Sequence, residues 1–139
     1  MDPVYDFWCF RLGSISRKLY RTYNSLYSQQ GVTVGQSFVL FDLLFHEGSS
    51  VKDIAGRLQL DSSAITGLID RLAKEGLVER VLDSADRRSL KIFLTLQGKE
   101  LAEEILPLAE DFNQQVKGVL ESSEAVIFET LLHKLDDRL

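Results

Sequence analysis

Three hydroxyl side chains, Ser62, Ser63 and Thr66, open a stretch in which Ile65, Leu68, Ile69 and Leu72 fall at i, i+3, i+4 and i+7. That spacing buries one face of a helix and turns the hydroxyls outward with Gly67, Asp70 and Arg71. Small hydrogen-bonding groups at the start of an exposed helix face suit the major groove of duplex DNA, where a hydroxyl meets a base edge or a phosphate. Gly67 weakens that face and costs about 1 kcal/mol of helix propensity relative to Ala. Further on comes the charged run Asp86-Arg87-Arg88. Paired arginines suit a DNA backbone or a minor groove, and a carboxylate beside Arg71, Arg87 or Arg88 can hold a guanidinium fork in place for a phosphate. Asp86 is assigned that orienting role, because an unrestrained tip loses more entropy on binding. The plainer reading of Asp70 and Asp86 is a solvated surface pair worth under about 1 kcal/mol.

Other reactive residue types are sparse. Cys9 is the single cysteine, which excludes an intrachain disulfide and a multi-cysteine zinc site. His46 and His133 lack ligand-spaced companions and read as helix-terminal cations or packing residues, so no metal site is expected. No nucleophile-base pair, glycine-rich phosphate loop or carboxylate dyad stands out. Neither enzymatic activity nor a cofactor is expected.

The elements that position these residues follow from caps and periodicity. Ser50 with Asp53 makes a capping-box-like start for a helix over Val51 to Leu58. Leu58-Gln59-Leu60-Asp61 interrupts it, and Asp61 caps the hydroxyl-bearing helix, which runs to about Lys74 or Glu75 before Gly76 stops it. Leu77 to Val81 and Ser89 to Leu94 are strand-forming runs on either side of the polar tip. Helix, turn, helix and hairpin make a winged helix.

Upstream, Asp2-Pro3 starts a helix reaching about Ser28, with Trp8, Leu12, Ile15, Leu19, Tyr23 and Leu26 on one stripe. Thr33 and Gln36 form a capping box for a buried helix from Val34 to His46, ended by Gly48. Downstream, Thr95 caps a long helix carrying Leu101, Ile105, Leu108, Phe112, Val116 and Val119, which Pro107 should bend or split. Ser122 or Ser123 caps a last helix with Phe128, Leu131, Leu132, Leu135 and Leu139 in line. The fold class is mainly α with a small β-hairpin wing: a winged helix-turn-helix with N- and C-terminal dimerisation helices. The 139 residues make a single protomer, with a DNA-binding lobe over 33–95 and dimerisation helices over 1–32 and 96–139. The terminal stripes expose more apolar surface than one small lobe can cover, which implies a partner; the alternative is that both helices fold back on their own domain.

The net charge of −5 is unevenly spread: residues 1–50 are neutral, residues 51–95 carry +1 and residues 96–139 carry −6. Near the outward helix face and the tip lie Arg71, Lys74, Arg80, Arg87, Arg88 and Lys91, which neutralise phosphates without a basic total. Moderate, salt-sensitive binding is expected. No apolar run of transmembrane length, lipid-anchor motif or secretory leader is seen, so no membrane partner is expected and the expected location is cytoplasmic.

The run LDSSAITGLIDRLAKEGLVERVLDSADRRSLKIFLT resembles the recognition helix and wing of the MarR family of bacterial transcription regulators. The matching pieces are Leu60-Asp61, Asp70-Arg71-Leu72, Gly76-Leu77-Val78, Asp86-Arg87-Arg88 and Leu94-Thr95. The resemblance implies a homodimer that reads an inverted-repeat operator in double-stranded DNA, its two recognition helices about 34 Å apart. It also implies repression relieved by a small aromatic or anionic effector. In similar regulators such effectors bind where dimer helices meet the DNA-binding lobe, and Tyr20, Tyr23, Tyr27, Phe41 and Phe45 are the residues here that fit such a pocket; their spacing fits ordinary core equally. Cys9, followed by Tyr23 fourteen residues on, is similar to the branch of the family that senses organic hydroperoxides through a cysteine, although Gly13 and Val34 stand where other tyrosines are expected. Cys9 nearly two turns into its helix and flanked by Trp8 and Phe10 also reads as a small buried hydrophobe. The alternatives to an effector-released repressor are therefore a peroxide-sensing regulator acting through Cys9, or a winged-helix protein-interaction module without DNA binding.

Overall fold

The computed structural model describes residues 3–86 and 88–139. A 3-10 turn (Pro3–Asp6) leads into α1 (Trp8–Leu26), a second short turn (Ser28–Gln30), α2 (Val34–Phe45), α3 (Val51–Leu58) and α4 (Ser62–Lys74). An antiparallel hairpin of β1 (Val78–Leu82) and β2 (Leu90–Leu94) follows, then α5 (Leu96–Lys117) and α6 (Ser122–Arg138). This is the expected mainly helical winged helix. The chain divides after Leu106 into two compact units.

In the first unit the core is built by α2, α3, α4 and β2, whose Val39, Leu40, Leu43, Ile54, Ile65, Ile69, Leu72 and Ile92 are wholly buried. Local chemistry fixes each element's ends. The amide of Gln36 donates to Thr33 Oγ1 at 3.2 Å and the amide of Thr33 to Gln36 Oε1 at 3.0 Å, the capping box expected for α2. Asn24 of α1 accepts the amide of Val34 at 2.9 Å, which ties α1 to the start of α2. Ser50 accepts the Asp53 amide at 3.1 Å, whereas the return bond from Asp53 is not formed. Gln59 ends α3 in the left-handed region at φ 55°, with the Leu60 amide reaching back to the Ala55 carbonyl at 3.1 Å.

Gly76 stops α4 as expected. At φ 74° it lets the Leu77 amide reach the Leu72 carbonyl at 2.9 Å while its own amide donates to the Ala73 carbonyl at 3.0 Å, a Schellman closure. Leu77 then becomes the seam against which α5 starts. Thr95 donates its hydroxyl to the Gly76 carbonyl at 2.7 Å and accepts the Gly98 amide at 3.0 Å, confirming Thr95 as the cap of α5. A Cβ on Gly98 would lie 1.9 Å from the Leu77 carbonyl oxygen, so only glycine lets α5 come this close.

The hairpin pairs Val78 with Leu94, Arg80 with Ile92 and Leu82 with Leu90. Ile92 is also bridged on its other edge by Ser49: the Ile92 amide donates to the Ser49 carbonyl and the Gly48 amide to the Ile92 carbonyl, both at 2.9 Å. Gly48 thus belongs to this third strand-like segment, and it is His46 that caps the end of α2.

Several expected boundaries are corrected. α1 begins at Trp8 with Phe7 at its N-cap position and no side-chain cap; Asp2 lies outside the described residues. Pro107 does not split α5, because a proline removes one amide donor while the flanking ladder bonds persist. α6 is capped not by Ser122 or Ser123 but by Glu121, whose amide donates to Glu124 Oε1 at 2.9 Å in a reciprocal box.

In the second unit, Lys117 Nζ lies 2.9 Å from Glu129 Oε1, joining the end of α5 to α6. No residue of α6 is buried, and Val126, Ile127, Phe128, Leu131 and Leu132 are all exposed. α1 in the first unit likewise buries none of its residues, with Trp8 70%, Leu12 41% and Ile15 53% exposed. Each of these two helices thus carries exposed apolar side chains. No helix of the described residues is long and apolar enough to cross a membrane.

Candidate nucleic-acid interface

α4 is seated by Ile65, Ile69 and Leu72, and by Leu68, whose methyl groups lie against the backbone of Gly35 in α2. The opposite face is therefore presented to solvent, and Ser62, Ser63, Thr66, Asp70, Arg71 and Lys74 are all exposed on it. Asp61 occupies the N-cap position with extended backbone, but its carboxylate takes no amide of α4, contrary to expectation. The first-turn amides of α4 are thus left uncapped by that side chain.

The wing is tied to α4 at its base. Arg80 on β1 donates to Asp70 on α4, so the carboxylate next to Arg71 in sequence pairs with the hairpin. Arg71 is exposed on the helix flank. An exposed pair of this kind stabilises by under about 1 kcal/mol, so its effect is orientation rather than stability.

The tip is shaped by two short side-chain turns. Asp83 Oδ1 accepts the Ala85 amide at 2.9 Å, and Asp86 Oδ1 accepts the Arg88 amide at 3.0 Å. The same Asp86 oxygen lies 3.6 Å from Arg88 Nε, while the Arg88 side chain is 95% exposed. Asp86 therefore shapes the turn that displays Arg88 and sits beside its guanidinium. Arg87 lies outside the described residues. Lys91 is 3.9 Å from Asp83 Oδ2, which adds a cation to the same edge.

A supporting network escaped the sequence reading. Arg57 of α3 donates Nε and Nη2 to Asp42 of α2 at 2.8 and 2.7 Å, and Nη2 also to Ser49 Oγ at 2.7 Å. The hydrogen bond to Asp42 raises the already high pKa of Arg57. Ser49 is the residue bridged to Ile92, so one guanidinium links α2, α3 and the inner edge of the wing. An Asp and an Arg fifteen residues apart on separate helices carry no local signal; the Asp83 and Asp86 turns, by contrast, have the two-residue offset that could have found them.

The five candidate effector residues are distributed. Tyr27 is 1% exposed and part of the core, and burial raises its pKa, as it does that of Tyr23. The Tyr23 and Tyr27 rings are 6.1 Å apart, Tyr20 meets Phe38 edge-on at 6.2 Å, Phe41 is half-buried, and Phe45 is 69% exposed. A cleft of 320 Å³ in the first unit is lined by none of them, its walls including Gln30, Glu75, Leu77, Glu100 and Glu104. Cys9 is exposed and is the second residue of α1, which corrects both its expected depth in the helix and its expected burial. Tyr23, fourteen residues on in the same straight helix, is about 21 Å away along the axis, too far to hydrogen-bond the thiol of its own chain. Among the described residues no group of His, Cys, Asp or Glu is placed to hold a metal ion.

Residues 32–90, from just before α2 to the first residue of β2, match the model of the MarR family. The transcriptional regulator TtmR of Methylorubrum extorquens is 41% identical over 93 residues, covering 67% of this chain and 48% of its own, so the chain spans about half the length of that relative. The organic hydroperoxide resistance transcriptional regulator of Bacillus subtilis is 32% identical over 133 residues, 91% of this chain and 90% of that one. Among solved structures, a mutant MarR of E. coli complexed with operator DNA superposes with a TM-score of 0.88 at 25% identity, covering 97% of this chain and 99% of that one. With similarity running nearly end to end, this chain belongs to the MarR family of winged-helix transcription regulators.

Proposed function

We propose that the protein is a homodimeric repressor that reads an inverted-repeat operator in duplex DNA from the cytoplasm and is released by a small-molecule effector. The observation that carries the DNA reading is the joining of the outward face of α4 to the basic wing through Asp70 and Arg80. Ser62, Ser63 and Thr66 read base edges, while Arg71, Arg87 and Arg88 meet phosphates or the minor groove, with Asp86 holding the tip. A net charge of only +1 over residues 51–95 limits affinity to a moderate, strongly salt-dependent value. The exposed stripes of α1 and α6 support the dimer, and residues 1–32 and 96–139 are proposed as the dimerisation helices around the lobe at 33–95. Two recognition helices then meet successive major grooves about 34 Å apart.

Effector release requires a ligand with different affinity for the bound and free geometries. The candidate contacts for a small aromatic or anionic molecule are Tyr20, Tyr23, Tyr27, Phe41 and Phe45, of which Tyr20 and Phe45 are exposed. Peroxide sensing through Cys9 is the second reading, favoured by the exposed thiol in the first turn of α1 and by similarity to the Bacillus regulator. Selection of bound fragments from random and genomic duplexes tests the DNA reading: enrichment of an inverted repeat supports it, and recovery of unenriched DNA removes it. Light scattering of the intact chain and of a truncation after Ser122 tests the dimer, which should be lost with α6; a well-behaved truncated dimer contradicts the assignment.

A further inference from the structure

Gly67 has no reason inside the fold to be a glycine. Its backbone is not left-handed, and a Cβ built on it meets nothing within 4 Å, whereas the same Cβ on Gly98 would collide with the Leu77 carbonyl. An unstrained glycine in mid-helix lowers stability relative to alanine, through backbone entropy alone. Position then becomes informative. Along α4, Ser63, Gly67, Asp70 and Lys74 follow at i, i+4, i+7 and i+11, directly opposite the buried Ile65, Ile69 and Leu72. Gly67 is therefore the centre of the outward face, a notch bounded by Ser63, Thr66, Asp70 and Arg71. Asp70 is paired with Arg80 of the hairpin, and nothing fills the space a Cβ on Gly67 would take.

We infer that Gly67 is a specificity-determining residue, its missing side chain letting a base-pair edge of the major groove approach the backbone of α4. This rests on the proposed reading of α4 as the DNA-facing helix. A recognition helix seated that closely brings the short hydroxyls of Ser63 and Thr66 within reach of base edges, which long side chains would otherwise be needed to span. Any added carbon stands the helix off and loses those contacts together, while phosphate contacts from the flanks and the wing adjust.

The test compares the wild-type chain with Gly67→Ala, and with Gly56→Ala on α3 as a measure of what alanine gains at an open helical site, since a Cβ at Gly56 also meets nothing within 4 Å. The duplex enriched by the wild-type chain and a scrambled duplex of equal length are titrated at one salt concentration, and each protein is melted. Gly67→Ala should melt about 2–6 °C higher, as should Gly56→Ala. It should bind the enriched duplex at least about tenfold more weakly and the scrambled one within about twofold of wild type. Unchanged affinity for the enriched duplex, an equal loss on both duplexes, or a lower melting temperature overturns the inference. If the wild-type chain enriches no duplex, the reading of α4 itself fails, a result distinguishable from any change in Gly67→Ala.

Discussion

Replacing Arg57 with Leu isolates the network that joins the helix-turn-helix to the wing. The Asp42 side chain is only 6% exposed and accepts two bonds from Arg57, whose own side chain is 34% exposed. Loss of one partner from a fully buried pair costs about 3–5 kcal/mol, because the surviving charge is stranded. The open third of the guanidinium shows that water reaches one side of this pair, so the expected cost is about 2–3 kcal/mol, a fall of about 6–15 °C in Tm at fixed protomer concentration. Asp42→Leu strands the more exposed partner and should cost about 1–2 kcal/mol. The double variant should cost less than the sum by about 1–2 kcal/mol. Because Arg57 also holds Ser49, and Ser49 accepts the Ile92 amide at 2.9 Å, hydrogen exchange at Ile92 should quicken in Arg57→Leu. A loss below about 1 kcal/mol, additive single variants, or an unchanged Ile92 amide refutes the reasoning.

Gly98→Ala forces a Cβ to within 1.9 Å of the Leu77 carbonyl, so denaturant unfolding should show a loss of about 3 kcal/mol or more; a loss under about 1 kcal/mol means the seam between α5 and β1 yields easily. The pKa of Tyr27 is raised above the ordinary 10.0, mainly by burial, so its contribution is complete below pH 10 and lost as pH rises through the higher folded value, where the unfolded chain ionises first. Tyr27→Phe should flatten stability against pH above about 10 and leave its slope near neutrality unchanged, checked by urea titrations across that range. Stoichiometric organic hydroperoxide should release DNA from the wild-type chain and not from Cys9→Ser if the exposed thiol is a sensor; equal binding in all four samples removes that role.

What was legible in the sequence was local. Thr33 and Gln36 cap each other across three residues, Gly76 follows the last apolar position of α4, and Thr95 precedes α5, so each boundary carries its own cause within one turn. The seating of α4 by Ile65, Ile69 and Leu72 was equally readable, because a single period decides it. Illegible features depended on partners far along the chain: Arg57 finding Asp42, Ser49 bridging Ile92, Asp70 choosing Arg80 over its neighbour Arg71. Boundaries also shifted where residue preference and geometry disagreed, as with Glu121 capping α6 in place of two adjacent serines and Gln59 adopting a left-handed turn. The misplaced depth of Cys9 came from one such boundary, since α1 starts at Trp8 after a separate 3-10 turn.

The central claim, that α4 and the wing together engage duplex DNA, is tested most directly by the salt dependence of affinity for the enriched duplex, in the wild-type chain and in a variant with Arg87 and Arg88 both changed to Ala. Over about 50 to 200 mM salt, log affinity should fall linearly with log salt, and the double variant should bind more weakly on every sequence with its slope flatter by about one to two units. An unchanged slope in a variant that remains folded, or no duplex binding by the wild-type chain at the lowest salt, contradicts the account.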